Sequence, residues 1–165
     1  MIKKIIWGVI GFLIKLVARF NHKLYMKLYV WYLKSRGMRI QGKPIYIGYS
    51  THFDGTDYSL FHIGNNVVIS SDCRFLTHDF SISRAVVASG YTYSQEFPII
   101  RPIFIGDNSF IGARSILLPG TKIGKNVIVG AGSVVRGNIP DNSIVIGNPA
   151  KVVGNVQDWF DKTMK

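Results

Sequence analysis

The most regular pattern in the chain is an aliphatic residue that returns at every sixth position. It occupies Ile105, Ile111, Leu117, Ile123, Val129 and Val135. A helix repeats its apolar positions every ~3.6 residues and a half-buried strand every second residue, so neither element alone explains this spacing. The pattern is therefore an internal repeat of hexapeptides, which is typical of a solenoid.

The hexapeptides predict an all-β fold, a parallel β-helix. Each repeat would supply one short strand and a turn, three repeats would close a triangular coil, and stacked coils would pair about 4.8 Å apart. The aliphatic column would point inward, because burial away from water stabilises it. A β-sandwich is the alternative, but its turns would follow one another at irregular spacings of roughly 8 to 12 residues.

The repeat is also recognisable earlier, at Ile63, Ile69 and Phe75, and it is then interrupted. Residues 81–98 do not follow it, and it resumes in register at Ile99. We expect this segment to be a loop extruded from the side of the solenoid, where loops usually carry function rather than stability. Without it, residues 45–153 suffice for about five coils.

The net charge of +11 belongs almost entirely to the first third of the chain. Residues 1–53 contain ten basic residues and no acidic one, whereas residues 54–165 contain ten basic and nine acidic residues, a balance of +1. The charge is therefore a property of a leading segment and not of the β-helix. No motif for nucleic-acid binding accompanies it, so nucleic acid is not an expected partner.

We divide the chain into a basic amphipathic helical segment (1–36), a β-helix domain (37–153) and a short tail (154–165). The longest charge-free run of the first segment, residues 5–14, is about half the length of a membrane span. Two interpretations of residues 1–36 stay open: helices that lie on an anionic membrane surface, or helices that pack on the β-helix and cap its first coil.

The end of the β-helix resembles a known family. Residues 105–153 read IGDNSFIGARSILLPGTKIGKNVIVGAGSVVRGNIPDNSIVIGNPAKVV. This run resembles the hexapeptide-repeat acyltransferases, the group that includes the galactoside, maltose and serine acetyltransferases. The resemblance implies a left-handed β-helix, a homotrimer with active sites between subunits, and acetyl-CoA as the acyl donor, without a metal.

A histidine is the expected general base for acyl transfer to a hydroxyl near neutral pH. Of the four histidines, His78 directly precedes the extruded segment, and the resemblance places the family's catalytic histidine at the matching position. Its neighbour Asp79 is a candidate for orienting the imidazole ring. We therefore take His78 and Asp79 as the candidate catalytic pair.

The resemblance also implies binding residues for both substrates. His52 matches a position where the family has an acceptor-binding Asn, and with Asp54 it could bind sugar hydroxyls. Ala113 and Ala131 match positions that line the pantetheine groove. The candidates for binding the CoA phosphates are basic side chains: Arg114, Arg136 and Lys151.

The function expected from these residues is acetyl transfer from acetyl-CoA to a sugar hydroxyl. The setting would be the synthesis of a surface polysaccharide (capsule, exopolysaccharide or lipopolysaccharide), in the cytoplasm or on the inner face of the cell membrane. Two alternatives stay open: N-acetylation of an amino sugar, free or nucleotide-linked, and a non-catalytic, membrane-associated β-helix scaffold.

Overall fold

The computed structural model describes residues 2–55 and 57–165, with side chains from residue 5 onward. Three parallel sheets form the faces of a β-helix. The first face contains β1 (Arg39–Ile40), β4 (Phe61–Ile63), β9 (Ile103–Ile105), β12 (Lys122–Ile123) and β15 (Asn138–Ile139). The second contains β2 (Tyr46–Ile47), β5 (Val68–Ile69), β10 (Phe110–Ile111), β13 (Ile128–Val129) and β16 (Ser143–Gly147). The third contains β3 (His52–Phe53), β6 (Arg74–Phe75), β11 (Ile116–Leu117) and β14 (Val134–Val135).

The six-residue aliphatic column points into the prism, as predicted. Each of its six members is at most 4% exposed. On the second face Ile69, Ile111 and Val129 stand in register in successive coils. Residues one coil apart therefore stack as identical or similar side chains, and that stacking closes the core.

The corner between the first and second faces is built from a column of asparagines. Asn66, Asn108, Asn126 and Asn142 adopt left-handed conformations, with φ between 54° and 59°. Asparagine tolerates this conformation better than other residues with a Cβ. Their side-chain amides bond from coil to coil at 3.1, 3.2 and 2.8 Å, so this corner repeats regularly along the solenoid.

Two helices precede the β-helix, α1 (Ile2–Val17) and α2 (His22–Ser35). The buried face of α2 carries Tyr25, Met26, Tyr29, Tyr32 and Leu33. The Tyr25 hydroxyl donates to the carbonyl of Ile47 in the first coil, at 2.7 Å. These side chains belong to the same hydrophobic core as the β-helix, so α2 covers the first coil.

The extruded segment contains a helix that the interrupted repeat did not predict. After β7 (His78–Asp79), α3 spans Ser81–Ala88, and the chain returns through β8 (Ile99–Ile100), which pairs antiparallel with β7. The buried hydroxyl of Ser83 bonds to both the carbonyl and the N–H of Phe97. These contacts hold the two ends of the extruded segment together.

The chain ends in a hairpin and a fourth helix. Strand β17 (Ala150–Asn155) folds back antiparallel onto β16, and α4 spans Val156–Thr163. The boundary predicted after residue 153 therefore falls inside β17. The side chain of Asn155 accepts from the N–H of Gln157 at 2.8 Å and begins α4.

Candidate active site

Both irregular insertions of the β-helix leave it at one corner, where the third face turns into the first face of the next coil. We call this the third corner. The first insertion follows β3 and includes the one-turn helix Tyr58–Leu60. The second follows β6 and contains the extruded segment. His78 lies at the root of the second insertion, so the stacking of two coils brings residues of the first insertion beside it.

Asp54, from the coil below, contacts His78. One carboxylate oxygen of Asp54 accepts from the N–H and the hydroxyl of Thr77, at 2.8 and 2.6 Å. The other oxygen lies 3.2 Å from Nδ1 of His78 and 3.4 Å from its backbone N–H. The His78 side chain is 26% exposed and that of Asp54 16%, so a largely buried carboxylate contacts a ring that is itself partly exposed.

The hydrogen-bond network around Nδ1 assigns the tautomer of His78. The Thr77 hydroxyl gives its proton to Asp54, so it can only accept from Nδ1, which lies 3.1 Å away. Both neighbours of Nδ1 are thus acceptors, and Nδ1 carries the proton in the neutral ring. Nε2 is then an acceptor, the state that a general base requires.

Gly55 allows the imidazole its position. Its φ is +69°, and a Cβ added there would overlap Cε1 of the His78 ring. A glycine therefore suits this position both because of its conformation and because of the ring that lies against it.

A groove of about 270 Å³ opens beside His78. Arg101 and Arg136 line it together with Asp79 and Leu118. Hydrogen bonds from the side chain and from the N–H of Ser81 lower the pKa of the Asp79 carboxyl, and the charge of Arg136 lowers it further. The groove therefore offers two guanidinium groups and one carboxylate around a histidine.

Asp79 and Asp54 occupy places different from those predicted for them. Asp79, expected to orient the ring, has its Oδ1 2.9 Å from the N–H of Ser81 at the start of α3. Asp54, expected to bind the acceptor, instead contacts the ring. His52 is exposed on β3 in register with Arg74.

The predicted pantetheine residues lie at another corner, between the second and third faces. Ala113 and Ala131 are stacked there in adjacent coils, and the N–H of Gly132 donates to the carbonyl of Ala113 at 2.8 Å. Arg114 is exposed beside them in a left-handed conformation, with φ 61°. Lys151 is exposed on β17, paired with Ile146. Of the predicted donor-binding residues, only Arg136 lines the groove of His78.

Sequence reasoning missed the apolar lining of the groove, and it also missed Thr77, Gly55 and Arg101. The Asp-Gly dipeptide at residues 54–55, one coil before His78, was the available signal for Gly55. Thr77 and Arg101 have no such signal, because their roles depend on how β7 and β8 leave the coil. Among residues 2–55 and 57–165, no three His, Cys, Asp or Glu side chains form a group that could hold a metal ion.

Comparison with known proteins identifies the repeat and its relatives. Residues 102–137 match the bacterial transferase hexapeptide (six repeats). The chain is 38% identical over 153 residues to the Staphylococcus aureus protein CapG, covering 87% of this chain and 83% of CapG. It is 33% identical over 123 residues to galactoside O-acetyltransferase of Lactococcus lactis, covering 74% of this chain but only 55% of that enzyme.

The fold has solved counterparts. A maltose O-acetyltransferase from Clostridium difficile 630 superposes with a TM-score of 0.65 at 24% identity, covering 91% of this chain and 84% of that one. A galactoside acetyltransferase solved in complex with coenzyme A superposes with a TM-score of 0.59 at 19% identity, covering 92% and 81%. With the repeat, the relatives and the fold in agreement, this chain belongs to the hexapeptide-repeat acetyltransferase family.

Proposed function

We propose that the protein transfers an acetyl group from acetyl-CoA to a hydroxyl of a sugar, with His78 as the general base. The observation that carries the proposal is the environment of His78. Asp54 and Thr77 hold Nδ1 in its protonated form, which leaves Nε2 as the acceptor on a ring that lines a groove. The relatives named as sugar O-acetyltransferases support the choice of reaction.

The proposed transfer is direct and needs no acyl-enzyme. The acceptor hydroxyl gives its proton to Nε2 while its oxygen attacks the thioester carbonyl. The resulting oxyanion is stabilised by backbone N–H groups. When the carbon–sulfur bond breaks, the departing thiolate of CoA takes the proton from Nε2. Asp54 stabilises the transient imidazolium through Nδ1, as a carboxylate does for a catalytic histidine.

The donor would bind along the corner of Ala113 and Ala131, with its phosphates near Arg114, Arg136 or Lys151. In one chain this corner is separated from the third corner by the whole third face. A second subunit that presents its corner of Ala113 and Ala131 to His78 would complete the site, and a homotrimer built from such contacts is the assembly that we propose. The outward row of the second face is apolar and suits such a contact: Tyr46, Val68, Phe110, Ile128 and Ile144.

The proposed acceptor is a sugar of a surface polysaccharide or its precursor, modified in the cytoplasm or at the inner face of the membrane. The test is release of CoA thiol from acetyl-CoA in the presence of neutral sugars, amino sugars, nucleotide sugars and lipid-linked glycans. Release with a hydroxyl acceptor, lost in His78→Asn, is the expected result. Release only with amino sugars would replace O- by N-acetylation. Absence of both CoA binding and CoA release would instead make the protein a scaffold.

Donor binding can be tested separately, because Arg136 lines the groove of His78 whereas Lys151 lies on β17. If Lys151 binds a CoA phosphate, Lys151→Gln raises KM for acetyl-CoA about tenfold, as expected for a lost charged hydrogen bond, and leaves the KM of the acceptor unchanged. Steady-state kinetics with each substrate varied in turn measure this. An effect of Arg136→Gln on the acceptor alone would move Arg136 from the donor site to the acceptor site.

A further inference from the structure

The two N-terminal helices differ in the exposure of their apolar side chains. The aromatic and aliphatic face of α2 is buried against the first coil. In α1 a comparable set of side chains is between 39% and 63% exposed: Ile5, Ile6, Val9, Phe12, Leu13 and Leu16. At about 100° per residue these six positions fall within an arc of about 120° on one side of the helix. Phe20, in the turn that follows, is 87% exposed.

The orientation of α1 is set by its opposite side. Ile14 is buried and Trp7 half-buried, with the Trp7 ring centroid 5.7 Å from that of Tyr32 and 6.2 Å from that of Trp31. At Gly11 the helix approaches α2 so closely that a Cβ would lie 2.8 Å from the Tyr32 hydroxyl oxygen. With that side packed, the apolar arc faces away from α2. An exposed, contiguous apolar surface of this kind marks a contact with a partner or a membrane.

The N-terminal segment that contains this surface carries charges of one sign only. Residues 1–53 contain no acidic residue. Arg19 is exposed after the end of α1, and α2 exposes Lys23, Lys27 and Lys34. Lys15 follows Ile14 on α1, with its Nζ 6.0 Å from the centre of the Tyr29 ring, and partial burial lowers its pKa. Such a combination of an apolar arc and cations complements anionic lipid headgroups above acyl chains.

We propose that α1 lies in the plane of an anionic lipid bilayer, with its apolar arc among the acyl chains, and that α2 is its structural support. The 16 residues of α1 extend about 24 Å, shorter than the ~30 Å hydrocarbon core, which favours a helix in the interface over one that crosses it. The two interpretations of residues 1–36 then apply to different helices: α2 caps the β-helix, and α1 contacts the membrane. This proposal is independent of acetyl transfer.

The experiment is flotation of the full chain with vesicles of phosphatidylcholine alone or with added phosphatidylglycerol. The test variant is Val9→Asp with Phe12→Asp. The matched control is Val87→Asp with Phe160→Asp, because Val87 on α3 and Phe160 on α4 are 54% and 51% exposed, whereas Val9 and Phe12 are 53% and 63% exposed. We expect the full chain and the control to float with the anionic vesicles. The bound fraction of the double variant should be lower by about tenfold or more.

Two further measurements, flotation at high salt and sedimentation without vesicles, complete the test. High salt should reduce flotation of the full chain without abolishing it, because screening weakens charge attraction but not apolar burial. Equal flotation of the double variant and the control would overturn the proposal. So would a change in sedimenting mass of the double variant without vesicles, which would assign the arc to a contact between copies. Phe20→Ser, in the turn after α1, provides the same test if the double variant does not fold.

Discussion

The coils from residue 103 onward and the interrupted coil around His78 use buried hydroxyls for different purposes. In the regular coils Ser109 and Ser115 donate to backbone carbonyls of the next coil, at 2.9 and 3.1 Å. At the third corner the equally buried Thr77 donates to the Asp54 carboxylate and faces His78. The same side-chain chemistry closes the solenoid in one region and organises a candidate base in the other. The two regions should therefore respond differently to mutation.

Replacing the base should have the largest effect on turnover. His78→Asn is expected to lower kcat between about 100-fold and 10,000-fold, the usual contribution of a general base. Thermal stability and oligomeric mass should change little, because the ring is partly exposed. The control is His62→Gln, since His62 stacks on Phe104 of the first face with ring centroids 4.2 Å apart. Turnover of His78→Asn above half the parent rate would contradict its role.

A truncated side chain in the regular core should lower stability and leave turnover nearly unchanged. Leu117 is fully buried, so Leu117→Ala should destabilise the fold by about 2 to 5 kcal/mol through lost burial and a cavity. Activity per folded molecule should be retained below the lowered melting temperature. Calorimetry and kinetics on the same sample measure both. Ile116→Ala, on the same strand but pointing outward, should cost clearly less. A large loss of kcat without loss of stability would break the comparison.

A smaller effect is expected from Gly55→Ala, which acts on the site through shape. The new Cβ would push the His78 ring away from its place, so kcat should fall by about tenfold, as for a displaced catalytic group. Gly90→Ala is the matched control, because Gly90 also has a positive φ, +82°, but no atom within 4 Å of an added Cβ. Both variants share the backbone cost of a left-handed alanine. If their kcat values fall equally, the ring is not the cause.

Sequence reasoning succeeded where structure follows from local spacing. The column from Ile105 to Val135 is buried because its period matches the coil, and that period is visible in one sequence. The contact of Asp54 with His78 could not be predicted in the same way. It joins residues 24 positions apart and depends on how one coil stacks on the next. The helix α3 was missed because the interrupted six-residue pattern carries no information about the structure that replaces it.

The smallest effect is expected from Asp79, the residue beside His78 in sequence. Its carboxylate accepts from the N–H of Ser81 at the start of α3. Hydrogen bonds from the side chain and the N–H of Ser81, together with the charge of Arg136, lower its pKa. An asparagine side chain has an oxygen that can accept the same hydrogen bond. Asp79→Asn should therefore preserve the turn into α3, and kcat should stay within about twofold of the parent, far from the loss expected for a general base. Asp54→Asn is the comparison, since it removes the charge that faces Nδ1 and should lower kcat by much more. Steady-state kinetics of the two variants with one acceptor decide which carboxylate orients the His78 ring. A large loss of kcat in Asp79→Asn with little loss in Asp54→Asn would assign that role to Asp79.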